Sequence, residues 1–152
     1  MTRTLSEILM EREKKKFATT RGSAVHAQLQ HIVLGHDGRD DKGDAKLIQK
    51  IRARPEIANF FIHGPESHVR AEVPIAGVIN NRFMSRRIDR LIVRDGIVEF
   101  MDYKTDTDRT VLCEKYAIQM REYAALLSAA YPGRAIRGYI LWLRDWELEQ
   151  VV

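Results

Sequence analysis

The chain has 152 residues, of which 45% are hydrophobic, so it is long and apolar enough for one domain with a packed core. Its net charge of +4 suits a polyanionic partner without identifying one. No apolar run is long enough to cross a membrane, and the N-terminus lacks the apolar stretch of a secretory signal. We therefore expect a soluble, cytoplasmic protein with no membrane partner.

Cys113 is the only cysteine, so the chain cannot form an internal disulfide, which agrees with a reducing compartment. The same count excludes a cysteine-bound iron–sulfur cluster, which needs about four such ligands. We interpret Cys113 as a small apolar residue near the start of a helix.

Helical patterns fill the N-terminal part of the chain. Apolar residues such as Val25 and Leu29 recur at helical spacing, while the first helix is mostly charged. The polar segment His36–Asp44 faintly resembles a calcium loop, but Arg39 stands at the third ligand position, so we reject a calcium site there. The predicted helices are Leu5–Phe17, Arg21–Leu34, Ala45–Arg54 and a short one over Glu56–Ile62.

Beyond Ser67 the pattern changes to the alternation that is typical of strands. Asp95-Gly96 is a strong signal for a two-residue hairpin, and Pro132-Gly133 ends a long amphipathic helix. Together these elements predict an α/β sandwich. They are the strands His68–Ile75, Phe83–Val93 and Ile97–Lys104, the helix Thr110–Tyr131, and the strands Ile136–Leu143 and Leu148–Val152.

The predicted hairpin brings two carboxylates together. If Asp95-Gly96 forms the turn, Arg94 faces Ile97, and the same register places Asp89 opposite Asp102. Side chains opposed in this way have Cβ atoms roughly 4.5–5.5 Å apart. Two like charges at that distance favour a cation between them, and a divalent metal ion is the obvious candidate. A bulge would shift this register.

Lys104 follows Asp102 on the same face of the strand, because side chains two residues apart share a face. Val98 and Phe100 continue that face into apolar surroundings. Such carboxylates can hold a metal that polarises a phosphate and lowers the pKa of a bound water, and a lysine ammonium can offset the developing charge. The competing interpretation of Asp102 and Lys104 is a surface ion pair that contributes little.

Further candidates lie on the helices and the first strand. His26 offers an imidazole, a common metal ligand, although a lone helical histidine is more often structural. Gln119 and Tyr123 share a helix face, which fits substrate positioning or ordinary packing. Glu72 can support a metal site or lie exposed at an edge.

Five arginines flank the carboxylates in sequence and are candidate phosphate contacts. Arg90 is the least suited of them, because it would lie on the opposite face of the strand from Asp89. The set is Arg82, Arg86, Arg87, Arg90 and Arg109.

Five short motifs occur in a fixed order and resemble those of a known family. In this order and at compatible separations they resemble the RecB-like branch of the PD-(D/E)XK nuclease superfamily, in particular the C-terminal nuclease domain of AddA-type helicase–nuclease subunits. The resemblance covers residues 21–143, and Ile88 replaces the proline of the superfamily's name, as is usual in this branch. The motifs are Gly22-x3-His26, Glu72-Val73-Pro74, Arg87-Ile88-Asp89-Arg90, Asp102-Tyr103-Lys104-Thr105 and Gln119-x3-Tyr123.

The resemblance implies an α/β, restriction-endonuclease-like fold with a mixed central β-sheet flanked by α-helices. It implies that His26, Asp89 and Asp102 bind Mg²⁺ or Mn²⁺ and that Lys104 is catalytic together with the two aspartates. We assign substrate binding to Gln119, Tyr123 and Arg87, and supporting roles to Glu72 and Gly22.

We therefore expect a Mg²⁺- or Mn²⁺-dependent deoxyribonuclease, an exonuclease, that acts in double-strand break processing and recombinational repair. There is no Gly-rich loop ending in Gly-Lys-Ser/Thr, so we expect no ATP site in this chain. Residues 1–20 are predicted to be an N-terminal helix or connector and residues 21–152 the nuclease domain.

The expected partners are DNA, helicase domains of the same or an associated chain, and a second helicase–nuclease subunit, in the bacterial cytoplasm at the nucleoid. One alternative is a nuclease-like DNA-binding or interaction module that does not cleave. A third, weaker hypothesis is a small-molecule metallohydrolase, against which the basic charge argues mildly.

Overall fold

The structure, a computed structural model, describes residues 4–65, 67–105 and 109–152. None of the helices within these residues is both long and apolar enough to cross a bilayer. The side chain of Cys113 lies outside the described part, so its interpretation as a filler stays a prediction. In chain order the elements are α1 (Leu5–Gln30), α2 (Ala45–Arg52), α3 (Pro55–Ala58), β1 (His68–Ile79), β2 (Arg82–Arg94), β3 (Ile97–Lys104), α4 (Arg109–Ala130), β4 (Ala135–Trp142) and β5 (Glu147–Gln150).

The first helix is continuous, so the prediction of two helices with a break between them is wrong. It begins at a capping box, in which the Thr4 hydroxyl accepts the Glu7 N–H and the Glu7 carboxylate accepts the Thr4 N–H. The expected break, residues 18–20, is Ala-Thr-Thr and contains neither proline nor glycine, so nothing in it ends a helix. The helix runs across residue 20, and a separate connector there stays a prediction.

The five strands form one mixed sheet in the order β1-β2-β3-β4-β5. The neighbours are antiparallel except β3 and β4, which are parallel and are joined by α4. The predicted hairpin is confirmed, since Arg94 pairs with Ile97 and Gly96 has a φ of 75°. Helices flank this sheet, so the α/β class with a mixed central sheet is confirmed.

Both faces of the sheet are covered by helices at the central strand β3. On one face, Met101 and Tyr103 of β3 pack with Leu29 of α1 and with residues of α2 and α3. On the other, Val98 and Phe100 pack with side chains of α4. Burial of a large apolar side chain contributes about 1.5–3 kcal/mol, so these two clusters fix β3 firmly between the layers.

Near Asp89 the side chains of β1 and β2 exchange faces of the sheet, so residues four apart no longer lie on the same face. Val69 and Ile92 pack with the α1–α3 layer, whereas Val73 and Ile88 pack with α4. The β1–β2 ladder has no pair between Glu72 and Asp89, and Glu72 has a φ of 53°, a region that costs a residue with a Cβ about 1–3 kcal/mol. This local distortion places Asp89 outside the regular ladder.

Candidate active site

The ladder between β2 and β3 ends one pair earlier than predicted. The register agrees with the prediction as far as the pair of Arg90 and Met101, but Asp89 and Asp102 do not form a further pair. Hydrogen-bonded pairs alternate from the hairpin turn, so Ile88 and Tyr103 would form the next one. Instead, Asp89 Oδ2 accepts the Tyr103 N–H at 2.8 Å. The carboxylate thus lies in the opening between the strands.

Asp89 and Asp102 are nevertheless close neighbours. The pKa of Asp102 is raised to about 7, first by burial and then by the charge of Asp89, and the Lys104 ammonium only partly opposes these two effects. Burial also acts to raise the pKa of Asp89, but hydrogen bonds from His26 and from the Tyr103 N–H outweigh it, so that pKa is lowered. Of the two carboxyl groups, Asp89 therefore ionises first and Asp102 keeps its proton to higher pH.

Lys104 makes the closest contact of the site. Its Nζ lies 2.6 Å from Asp102 Oδ2, with both side chains largely buried. The geometry of this contact does not meet the angle required of a hydrogen bond, and Asp102 Oδ2 has no other hydrogen-bond partner among the described residues. The contact is therefore an ion pair. The lysine donates instead to Gln119 Oε1 at 2.9 Å and lies 4.2 Å from the centre of the Tyr116 ring.

Side chains of α4 line one side of the site. Gln119 Nε2 donates to the Tyr123 hydroxyl at 3.0 Å, so the two residues share a face as their four-residue spacing predicts. Burial, together with the charges of Asp102 and Asp89, raises the pKa of Tyr123. Its hydroxyl therefore keeps its proton and can donate a hydrogen bond.

His26 reaches the site from α1. Its Nε2 lies 3.5 Å from Asp89 Oδ2, and its ring packs edge-on against Tyr103 with centroids 5.3 Å apart. Gly22 precedes it by one helical turn in the same helix. Of the three predicted metal ligands, Asp89 is thus a neighbour of both His26 and Asp102.

Arg90 holds α1 in position and is not a phosphate contact. Its side chain is 1% exposed, and it donates to the carbonyl of Leu29 at 2.8 Å and to the Tyr103 hydroxyl at 2.9 Å. The guanidinium also lies 3.9 Å from the centre of the Phe61 ring. Arg90 was predicted to be the least suited of the five arginines for phosphate contact, and its burial excludes that role. Its structural role had no signal in the sequence.

Arg86 and Arg87 are neighbours on β2, so their side chains lie on opposite faces of the sheet. Arg87 is an exposed side chain whose Nε lies 3.3 Å from Glu72 Oε2. Arg86 pairs with Glu122 of α4 at 3.2 Å. The side chain of Arg109 lies outside the described part. Arg86 rather than Arg87 therefore lies beside the lysine of the site.

An open groove of about 380 Å³ runs beside Lys104. It is lined mostly by cationic and polar side chains, of which the sequence analysis singled out the first, second and fifth: Arg86, Lys104, Lys115, Tyr116, Gln119 and Glu122. Tyr116 lies three residues before Gln119, so its helical spacing would have placed it near the same face. A larger cavity of about 570 Å³, lined by residues that include His63, His68 and Tyr131, contains none of the predicted site residues.

The residues fit a divalent cation in two respects. The close carboxylates of Asp89 and Asp102 repel each other when both are ionised, and the buried Asp102 Oδ2 lacks a hydrogen bond within the described residues. A cation between the two carboxylates would offset their repulsion and give Asp102 Oδ2 a partner. As they stand, however, no three His, Cys, Asp or Glu side chains in the described segments converge to enclose an ion. His26, Asp89 and Asp102 are the residues positioned to hold one.

No protein-family model matches the chain. Comparison with curated proteins also finds no match. The interpretation of the site therefore rests on its geometry and on the order of the motifs that form it.

Proposed function

We propose that the chain is a Mg²⁺- or Mn²⁺-dependent deoxyribonuclease that hydrolyses phosphodiester bonds. The observation that carries this proposal is the buried pair of Asp89 and Asp102 in the strand opening, with Lys104 Nζ 2.6 Å from Asp102. A surface ion pair would not be buried or lie against a second carboxylate. We also propose membership of the RecB-like branch of the PD-(D/E)XK superfamily and a restriction-endonuclease-like fold, which the order of the five motifs and the mixed sheet support.

Each residue then has a role that its position supports. His26, Asp89 and Asp102 would hold the metal, which when bound polarises the phosphate and lowers the pKa of a water. Lys104, oriented by its hydrogen bond to Gln119, places a positive charge where the phosphate becomes more negative. Gln119 and Tyr123 offer hydrogen bonds from α4 for positioning the substrate.

The groove beside the site supports a nucleic-acid substrate. Arg86, Lys104 and Lys115 line it, and cationic side chains of this kind bind phosphates regardless of base sequence. From the resemblance we further propose exonuclease action in double-strand break processing and recombinational repair, with DNA, helicase domains and a second helicase–nuclease subunit as partners. The proposed location is the bacterial cytoplasm at the nucleoid.

The alternative is a nuclease-like module that binds DNA without cleaving it. The groove beside Lys104 is compatible with this alternative too, because cationic side chains bind phosphates whether or not cleavage follows. Cleavage distinguishes the two functions, because a binding module would retain affinity for DNA but show no turnover.

The test is cleavage of end-labelled linear single- and double-stranded DNA, and of circular DNA, with Mg²⁺, Mn²⁺ or EDTA. We expect metal-dependent cleavage of linear DNA that disappears in Asp102→Asn and persists in Glu99→Gln, a control at a buried carboxylate on the opposite face of β3. Binding without cleavage in any metal would support the non-cleaving module. Hydrolysis of a small phosphoester without DNA cleavage would support a metallohydrolase.

A further inference from the structure

The hairpin of β1 and β2 extends beyond the rest of the sheet. Residues 82–88 of β2 pair only with β1, because the ladder with β3 stops at Arg90. One face of this extension is covered by α4. A Cβ on Gly77 would lie 3.0 Å from Leu126, and Arg86 pairs with Glu122.

The other face of the extension is open. Val78 and Phe83 are direct cross-strand partners and are 69% and 73% exposed. Phe83 is the one aromatic among the large hydrophobic side chains that are exposed in the described segments. A paired valine and phenylalanine left in water at a hairpin tip indicate a binding surface. The open face consists of Pro74, Ala76, Val78, Phe83, Ser85 and Arg87.

The charge of the hairpin favours a polyanion as the partner. Residues 73–88 contain no Asp or Glu and three arginines, Arg82, Arg86 and Arg87. Arg87 shares the open face with Phe83, because the two are an even number of residues apart on the strand. An aromatic ring beside cationic side chains is the combination that binds single-stranded nucleic acid, by stacking on bases and contacting phosphates.

The open face ends close in sequence to the candidate active site. Phe83, Ser85 and Arg87 follow one another at two-residue steps along β2, and Asp89 comes two residues later, at the point where the side chains exchange faces. At about 3.3 Å per residue, Phe83 lies roughly 20 Å from Asp89 along the strand.

We propose that the open face of the β1–β2 hairpin binds single-stranded DNA, with a base stacked on Phe83 against Val78. The proposal rests on the proposed nuclease function and adds to it a DNA-binding surface outside the groove beside Lys104. A fully paired duplex does not offer the base face that Phe83 would contact, since its bases are stacked on one another.

The test measures binding in EDTA, where no cleavage occurs. The probe is a single-stranded oligonucleotide that contains 2-aminopurine, whose fluorescence falls when the base stacks. We expect Phe83→Ala and Phe83→Leu to weaken binding by about 5- to 100-fold and to abolish the fluorescence change, because neither side chain offers an aromatic face. Phe83→Trp should retain both signals. Leu5→Ala, at a side chain of α1 that is 75% exposed, is the matched control and should change neither.

The outcomes separate this proposal from the nuclease itself. Unchanged affinity in Phe83→Ala, with metal-dependent cleavage by the wild type, would overturn the hairpin surface and leave a protein partner as the explanation of the apolar pair. Stacking at Phe83 without cleavage in any metal would support the hairpin surface and contradict the nuclease. Absence of any DNA binding by the wild type would overturn both.

Discussion

Asp89 Oδ2 accepts the backbone N–H of Tyr103 at 2.8 Å and thereby ends the ladder between β2 and β3. A carboxylate occupies the place where the carbonyl of Ile88 would continue the sheet. The strands diverge at this point, and Asp102 and Lys104, which follow immediately on β3, line the opening. The same hydrogen bond that interrupts the sheet therefore positions the first carboxylate of the candidate site.

The metal-free protein should be most stable when Asp102 is protonated. Its pKa is raised from 3.8 to about 7 in the folded state, so the folded protein holds this proton more tightly than the unfolded chain. The stabilisation is fully present below pH 3.8 and is lost as the pH rises through about 7. The lowered pKa of Asp89 acts in the opposite sense, but only in the acidic range below its ordinary value.

Asp102→Asn should therefore raise the Tm in EDTA at pH 8 and change it little at pH 5, by about 2–4 °C for each kcal/mol of repulsion removed. Differential scanning calorimetry at the two pH values measures this difference. Glu99→Gln is the control, since Glu99 is buried on the same strand and pairs with Arg94. A lower Tm for Asp102→Asn at pH 8 would show that the carboxylate is structural.

Lys104→Ala should bind metal as the wild type does but lose cleavage. Removal of one preorganised charge from an active site lowers kcat by about 100- to 1000-fold. Single-turnover cleavage at saturating Mn²⁺ measures the rate, and calorimetry measures the metal affinity of the same variant. Lys46→Ala, at an exposed lysine of α2 that does not line the groove, is the matched control and should retain the rate. An unchanged rate in Lys104→Ala would remove the lysine from the mechanism.

Arg90→Met should destabilise the fold, and Arg87→Met should not. Loss of the Arg90 guanidinium removes its hydrogen bonds to the Leu29 carbonyl and the Tyr103 hydroxyl, and a hydrogen bond from a charged group contributes about 1.5–3 kcal/mol. Arg87 is exposed, and its contact with Glu72 contributes little to stability. Urea unfolding followed by circular dichroism compares the two. Equal stability of Arg90→Met and the wild type would contradict the anchoring role of Arg90 for α1.

The sequence predicted those parts of the molecule that local chemistry determines. Asp95-Gly96 fixed the hairpin and, through it, the register as far as Arg90 and Met101. The two-residue period of β3 placed Asp102 and Lys104 on the face of Val98 and Phe100. Turn chemistry and strand period are short-range rules, so a single sequence is enough to apply them.

Features that depend on contacts between distant segments were not predictable in this way. The end of the ladder at Asp89 depends on a side chain that captures a backbone N–H of another strand. Arg90 joins α1 to β2 across 61 residues of chain, and no local pattern marks it. The continuity of α1 was missed for a different reason, since Ala18-Thr19-Thr20 was treated as a break although it contains neither proline nor glycine.

The most direct test of the central claim is titration of Mn²⁺ into the metal-free protein by isothermal calorimetry, in two buffers of different ionisation enthalpy at pH 7. We predict binding to the wild type with release of the Asp102 proton, loss of that binding in Asp89→Asn, and retention in Glu99→Gln. Equal Mn²⁺ affinity in the wild type and Asp89→Asn, or no binding to the wild type, would contradict a metal site between Asp89 and Asp102.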